Sequence, residues 1–598
     1  MKKYITILSM FAAGFAFADD EVYDGQTLSG TDFSGKSMNY SSWVKSYITN
    51  SNFSNAKLRE ANFTNAKIAS CKFTQANLTD AIFDSTTCYN DFSNATLIRA
   101  SFKGTVLSYN GNDGAGQSNF TGANLKDADF SNAQLVDKRS SKVGAKFNNA
   151  NLTNANFSNV DIIGEYGASA DFTNADITGA NFSNAVFART HENFNSTTDL
   201  AASLNISKFS SVNFSNAVFV VYTESYNGKR GAAVDFSNKE FENVDFSNAI
   251  LSAKYWYDSN AKSVSFANST FKNCDFTGAT LGVNGAANGV DFSNIDVSNT
   301  SFKNANLYGV LFEQSNISGS DFSNANGLTT SQLSQTLNYK NKDLSGVNFD
   351  GLDLTNWILR GQNLQNTSFA GANLTGVNAR YADLRGSDLT GITGSLKTQN
   401  TIWADGEIKK FTMESVDDSL TIRAYAPATS GGAMINAKIA DDASISGGAV
   451  LTLEQGAVLE IASGKTLSVF DNSEIIFNVD AAASDATKIL LGENSKFVFG
   501  SDSKIIVNLD GVISPDDSYA LSVIEVAADA CISVADAISK DNLVLNVNGE
   551  AYDSDKWGFN FDPTTGALTI NVNVPEPATV AAIFGALALA FAAYRRRK

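Results

Sequence analysis

Large apolar residues recur at every fifth position over a long stretch of this chain. Tyr23, Leu28, Phe33, Met38, Trp43 and Ile48 open the series, which runs to Phe83 without a change of phase. Around each centre the unit is a small residue, Asn or Asp, Phe or Leu, Ser or Thr, then Asn or Gly, as in Ala61-Asn62-Phe63-Thr64-Asn65. A spacing of five matches neither the 3.6-residue period of a helix nor the two-residue period of a strand. It suits a backbone that turns a corner every five residues. The large residue and the small one two before it then point inward, and the other three face water.

After Phe83 the centres fall into groups of four separated by inserts. Phe92, Leu97, Phe102 and Leu107 form one group, Phe120, Leu125, Phe130 and Leu135 the next, and the pattern continues through Phe266, Phe271, Phe276 and Leu281. Groups of four predict four units per coil, with every insert leaving from one corner. In that register Phe102, Phe130, Phe157, Phe182, Phe214, Phe246, Phe276 and Phe302 form a single column, and coils about 4.8 Å apart make it an aromatic ladder. Val186, Val218 and Ile250 fall in a slot that normally faces water. The inserts Arg189–Ala202, Val220–Val234 and Ser252–Val264 are therefore expected to fold back over that face; unpaired surface loops are the alternative.

Proline is absent before Pro427, as expected where every ladder N–H is needed. The period breaks between 326 and 342, where Leu328, Leu333 and Leu337 predict a short helix acting as a cover or hinge. It resumes at Asp343-Leu344-Ser345-Gly346 and fades after Leu389. From about Asp405 the pattern changes to alternating strands with Gly turns, at 449–461, 475–479, 497–499, 505–509 and 543–547. Such strands predict a second all-β domain, either a sandwich or an irregular β-solenoid, placed as a stalk.

Over residues 23–391 the units resemble the pentapeptide-repeat family. That resemblance implies a right-handed quadrilateral β-helix with four units per coil. The expected fold class is all-β: this β-helix, then the β-rich sandwich or solenoid, then one C-terminal transmembrane helix. The boundaries are a signal peptide at 1–18, β-helix with one-corner inserts at 19–326, a helical interruption at 327–342, a second β-helical segment at 343–395, the β-rich domain at 405–573 and a C-terminal signal at 574–598.

Both ends carry targeting patterns. Lys2 and Lys3 precede an apolar run from Tyr4 to Phe15, and Ala16-Phe17-Ala18 stands before Asp19-Asp20-Glu21. A basic start, a short apolar stretch and small residues predict a secretory signal peptide cut after Ala18; a buried N-terminal strand is the alternative. At the other end Pro575-Glu576-Pro577 precedes an uncharged segment, 578–594, and then Arg595-Arg596-Arg597-Lys598. As a helix that segment reaches roughly 25 Å, the short end of the spanning range. The basic cluster belongs on the cytoplasmic side, which leaves everything before it outside. These three ordered elements resemble the PEP-CTERM sorting signal, which implies processing by an exosortase-type enzyme near Pro575, Glu576 and Pro577, with Arg595, Arg596 and Arg597 closing the motif. A permanent C-terminal anchor is the plainer alternative.

A net charge of −18 argues against nucleic acid or anionic lipid as a partner, and 42 Phe argue against disorder. The one histidine, His191, lies in an insert, so a multi-histidine metal site is excluded. Cys71 and Cys274 occupy slots usually filled by Ala, and Cys88 takes a centre, so all three read as small buried hydrophobes. A Cys71–Cys88 bridge stays open. Asp171, Asp235 and Asp291 share one column and Asp245 and Asp275 another, a pattern suited to Ca²⁺ or to acid–base work on glycans. Each sits in the ordinary Asn/Asp slot of the unit, so solvated repeat positions are the preferred reading. No phosphate loop, nucleophile elbow or metal-ligand cluster is present in the sequence.

The sequence therefore predicts no catalytic, cofactor-binding or metal residue and no cofactor. It points to an exported structural or adhesive protein of the cell envelope or cell surface. The implied partners are signal peptidase, an exosortase-type enzyme, the membrane through the C-terminal helix, and extracellular polysaccharide. The alternatives are a DNA-mimicking pentapeptide protein acting on a topoisomerase, or a glycan-active β-helix enzyme.

Overall fold

A computed structural model gives the fold. The structure describes residues 21–111, 114–136, 144–162, 169–187, 204, 206–220, 234–253, 262–285, 289–481, 487–511, 518–527, 529–534, 542–551, 557–562, 564–565 and 567–572. The chain divides into two compact units, Met1–Leu337 and Asn338–Lys598.

In the first unit each five-residue step is a tight turn. After the centre Phe53 the backbone passes through Asn55 at φ 58°, and the Ala56 N–H returns to the Phe53 carbonyl at 3.0 Å. A positive φ at the third residue of a turn favours Gly and Asn, so the last slot of the unit is a conformational requirement. The residue before the centre braces the turn from its other side: Asn52 Oδ1 accepts the Ser54 N–H at 3.1 Å. The large and small residues are left pointing inward. Phe53, Ala56, Leu58, Ala61 and Phe63 are all buried.

In the first coils residues pair in parallel with those twenty positions on, Thr27–Ser29 with Tyr47–Thr49, Asp32 with Asn52 and Ser37 with Lys57. Twenty residues are four units, so the groups of four in the sequence are single coils. Phe102, Phe130, Phe157 and Phe182 stack with centroids 4.8, 4.8 and 5.0 Å apart and planes within 7°. A second column, Phe92, Phe120, Phe147 and Phe172, stacks at 4.9, 5.1 and 4.9 Å. The two columns meet edge to face, as at Phe120–Phe130, 5.6 Å apart at 83°. Stacked along the axis and T-shaped across it, the rings use both arrangements that the aromatic quadrupole favours.

The break in the period forms helix Thr330–Gln335, with a capping box between Thr329 and Gln332. Gln332 Nε2 donates to the carbonyls of Leu307 and Val310 at 2.8 and 2.9 Å, and Leu333 is buried. The N–H groups of Gln314 and Leu337 find the carbonyls of Gln335 and Ser315, each at 2.9 Å. The helix thus covers the end of this unit's stack and satisfies ladder groups that a further coil would have taken.

The second unit begins with coils of the same twenty-residue repeat, Asp343 over Asn363 over Asp383. It then becomes a three-sided solenoid. Glu407–Ile408, Ala437–Ile439, Val458–Ile461, Lys488–Leu491 and Ile524–Val526 make one parallel sheet, and Thr412–Met413, Ala443–Ile445, Thr466–Val469, Lys496–Phe499 and Cys531–Val534 the second. Ser419–Ile422, Val450–Leu453, Glu474–Asp480, Lys504–Asp510 and Leu543–Val547 make the third. The β-rich segment is therefore a solenoid and not a sandwich. One buried cluster runs from Tyr381 and Ile402 through Ile408, Leu451 and Phe477 to Ile570, so four-sided and three-sided coils share a core. An antiparallel sheet of Ser518–Ser522, Ala567–Val572 and Trp557–Asp562 completes the unit.

An ion pair ties this unit together. Arg385 and Asp383 are both buried, with Nη2 to Oδ2 at 2.6 Å and Nε to Oδ1 at 3.0 Å. The remaining guanidinium donors reach the carbonyls of Ile435 and Arg423 at 3.0 and 2.7 Å. Gln365 bridges Asp383 Oδ2 and the Ala424 carbonyl at 2.8 and 3.1 Å. The connection between strands Ser419–Ile422 and Ala437–Ile439 is thereby strapped onto the four-sided coils. Among the described residues no helix is long and apolar enough to cross a membrane; 578–594 lies outside them.

Candidate functional site

The four corners of the first unit are not equivalent. At three corners of the coil from Phe53 the turn closes on its own backbone, Ala56 to Phe53, Ala61 to Leu58 and Ala66 to Phe63 at 2.9–3.1 Å. At the fourth, side chains from the next coil accept the equivalent N–H groups. Thr31 donates to Ser51 Oγ at 3.2 Å, Ser51 to Cys71 Sγ at 3.4 Å, Cys71 to Asn90 Oδ1 at 2.8 Å and Asn90 to Ser118 Oγ at 3.5 Å.

Every described insert leaves from this corner. The N–H of Ser118 donates to the Leu107 carbonyl at 2.8 Å, Ala145 to Leu135 at 2.8 Å, Ala170 to Ile162 at 2.9 Å, Val234 to Phe219 at 3.4 Å, Val264 to Leu251 at 2.9 Å and Val290 to Leu281 at 2.7 Å. In an ordinary unit this donor stands three residues after its acceptor. Here the interval runs from eight residues at Ile162 to fifteen at Phe219. An insert is thus a lengthened turn that closes with the backbone hydrogen bond used at the other three corners, and the coil beneath continues in step. Three of the insert bases are antiparallel ladders: Ser108–Gly111 with Gly114–Gln117, Val136 with Gly144, and Ser252–Ala253 with Lys262–Ser263.

Beside this corner Val186, Val218, Ile250 and Thr280 form one column. Val186 and Val218 are half-buried and Ile250 is 37% exposed. Covering of that face by Arg189–Ala202, Val220–Val234 and Ser252–Val264 falls largely on residues outside the described ones, as does His191.

Asp235 and Asp291 share one column and Asp245 and Asp275 another, as predicted, while the position between Asp171 and Asp235 lies outside the described residues; the work of all five is local. Asp245 lies beside Asp275, while Ser265 separates Asp235 from Asp291. Oδ1 of Asp171, Asp235, Asp245, Asp275 and Asp291 accepts the N–H two residues on, from Thr173, Ser237, Ser247, Thr277 and Ser293, at 2.8–2.9 Å. All five brace turns, which is why Asn replaces Asp freely in this slot. Among the described residues no group of His, Cys, Asp or Glu is placed to hold a metal ion.

Cys71, Cys88 and Cys274 are buried free thiols, so Cys71 and Cys88 are not bridged, and Cys531 is an exposed one. Burial pushes the thiols of Cys71 and Cys274 up to about 11 and that of Cys88 to about 12. Ala16, Ala18, Pro575, Glu576, Pro577, Arg595, Arg596 and Arg597 lie outside the described residues.

A family model for pentapeptide repeats matches in eight copies, over residues 46–84, 115–137, 143–164, 168–191, 240–278, 288–326 and 359–391. The coil segments match the pentapeptide-repeat family. Among solved pentapeptide-repeat structures, HetL of the cyanobacterium Nostoc sp. strain PCC 7120, involved in heterocyst differentiation regulation, is 16% identical; the match covers 65% of this chain and 92% of that one, with a TM-score of 0.13. Full-length QnrB1, a plasmid-mediated fluoroquinolone resistance protein, is 15% identical over 42% of this chain and 94% of its own, with a TM-score of 0.17. A thylakoid-lumen protein of Arabidopsis thaliana, AT2G44920, is 25% identical over 19% of this chain and 68% of its own, with a TM-score of 0.11. No curated protein matches the sequence.

Two features of these pentapeptide-repeat coils escaped the sequence reading. Arg385 stands in the Ser/Thr slot after the centre Leu384, where a long cation is out of place, and Asn90 stands in a slot usually held by Ala. Both are signals of a buried partner. Asn90 Nδ2 donates to the Ile68 carbonyl at 2.9 Å and to Cys88 Sγ at 3.1 Å.

Proposed function

We propose that this chain is an exported, non-enzymatic binding scaffold of the cell envelope, in which pentapeptide coils hold a row of loops along one edge. The observation that supports this most is the common closing hydrogen bond at the base of every described insert. It lets the loops vary in length and sequence while their roots stay one coil apart. Variable loops on a rigid frame are the usual carriers of binding contacts. The insert sequences contain Tyr222, Tyr226, Tyr255, Trp256 and Tyr257 among Ser, Asn and Gly, residues that bind by aromatic contact and adaptable hydrogen bonding. The partner we infer is extracellular polysaccharide or another surface component.

Export rests on the pattern ending at Ala16 and Ala18. Retention or processing at the membrane rests on Pro575-Glu576-Pro577, the uncharged 578–594 and Arg595-Arg596-Arg597, read by signal peptidase and an exosortase-type enzyme. Antibody labelling of intact cells and mass spectrometry of the mature termini test this together. Surface labelling and a new N-terminus at Asp19 are expected. A pool confined to the cytoplasm with Met1 to Ala18 intact would overturn it.

A further inference from the structure

The third sheet of the solenoid carries asparagine where strands rarely do. Asn478, Asn508 and Asn546 stand in mid-strand on three successive coils, and their side chains bond in series, Asn546 to Asn508 and Asn508 to Asn478, both at 2.8 Å. The asparagines of the pentapeptide coils have a local reason to be there. Asn156 Oδ1, for example, accepts both the Ser158 N–H and Asn181 Nδ2 at 3.1 Å, so turn and ladder share its oxygen. In the solenoid the same residue type braces no turn and is disfavoured by strand propensity. An amide has two N–H groups and two lone pairs, and the ladder uses one of each on Asn508. One donor and one acceptor per coil therefore face water at the coil spacing.

A second column runs alongside. Ile476, Ile506 and Val544 are paired across the same three strands, point to the same outer face and are half-buried. The face thus offers an aliphatic strip next to a row of amides, and the amide row lies in an open groove with Glu454 and Asp510 on its walls. Neither Lys nor Arg lines that groove among the described residues. Within the groove an anionic chain would meet two carboxylates with no cation beside them, while Glu474 and Lys504 stand beyond the aliphatic strip on the same face.

We infer that this groove binds a neutral polysaccharide lying along the solenoid axis. Sugar C–H faces rest on Ile476, Ile506 and Val544, and hydroxyls exchange hydrogen bonds with the amide row. The site is separate from the loop-bearing edge of the first unit and adds a second glycan contact to the function proposed above.

Affinity electrophoresis of the full chain through gels containing a soluble neutral glucan or mannan, or alginate as the acidic control, tests the site. The neutral glycan should retard the protein and alginate should not. Asn508→Ala and Val544→Lys should each weaken retardation about tenfold or more, since each removes or blocks a ligand contact. Thermal melting run in parallel shows whether Asn508→Ala still folds; if it does not, Val544→Lys, a change on the outer face, decides. Equal retardation by alginate, no retardation by either neutral glycan, or binding untouched by Val544→Lys would overturn the site. Binding lost on shortening insert 252–264 yet unaffected by Val544→Lys would assign the glycan to the loop edge and leave the groove without a role.

Discussion

Asn90 holds Cys71 in place: its Oδ1 accepts the Cys71 N–H at 2.8 Å while its Nδ2 donates to the Ile68 carbonyl at 2.9 Å. The contact lies inside the stack at the corner where turns do not close on themselves. Side chains there stand in for backbone, and one coil later the chain begins to send out inserts. Asn90→Ala removes both bonds and leaves a buried donor and a buried acceptor unmet. A loss of about 2–4 kcal/mol is expected, confined to neighbouring coils. Hydrogen exchange of the Ile68 to Cys88 region should read it as faster exchange there, with the solenoid unchanged.

The aromatic columns make a second prediction. Phe157 is stacked between Phe130 and Phe182 at 4.8 and 5.0 Å and is wholly buried. Phe157→Ala opens a cavity in a column that cannot collapse without shifting the coils, so a cost of about 3–5 kcal/mol is expected. Phe182→Asp adds an unpaired buried carboxylate and should unfold several coils. Equal melting temperatures for the wild type and both variants would show that these rings are not the core.

Thiol reactivity separates the four cysteines. With their thiols pushed up to about 11 or 12 by burial, Cys71, Cys88 and Cys274 carry almost no thiolate at neutral pH. An aromatic disulfide reagent at about pH 8 should titrate one thiol, Cys531, in the native chain and four in denaturant. Two in denaturant would mean a bridge. These raised values also carry a sign for stability. Stability is complete below the ordinary thiol range and falls as pH rises through about 11.

The buried pair of the second unit gives a charge prediction. Asp383→Asn or Arg385→Met leaves the other partner buried and uncompensated, at an expected cost of about 3–5 kcal/mol. The double variant Asp383→Leu with Arg385→Met should recover much of it, because neither residue then strands a charge. Calorimetry of the full chain reads all three, and additive losses in the double variant would refute the coupling.

Acid should loosen the four-sided coils of both units. Hydrogen bonds from the Ser34, Thr355 and Thr390 hydroxyls and N–H groups hold the carboxyls of Asp32, Asp353 and Asp388 below the usual range. A depressed carboxyl stabilises the fold above its unfolded value near about 4, and the contribution is lost as pH falls through the lower folded value. The melting temperature should therefore drop as pH goes from about 5 to about 3. Replacing Asp353 with Asn, which keeps the turn acceptor, should flatten that drop.

The five-residue spacing by itself determined the interior of the coils, the number of units per coil and the corner from which inserts leave. Those features follow from local chemistry: a positive φ that wants Asn or Gly, an Asx brace, and a large side chain with only one way to point. The short helix at Thr330–Gln335 was legible for the same reason, through its break in period. Whether the β-rich segment is a sandwich or a solenoid was not, because alternation along a strand is identical in both and only pairing between distant strands separates them. The same holds for the Arg385–Asp383 strap, the Asn90 niche and the amide row of Asn478, Asn508 and Asn546. Each needs residues brought together across coils, and single-residue patterns record which side faces in but not what waits there. Only the tertiary structure decided those partners, since a buried hydrogen bond depends on geometry between segments and not on the composition of either one.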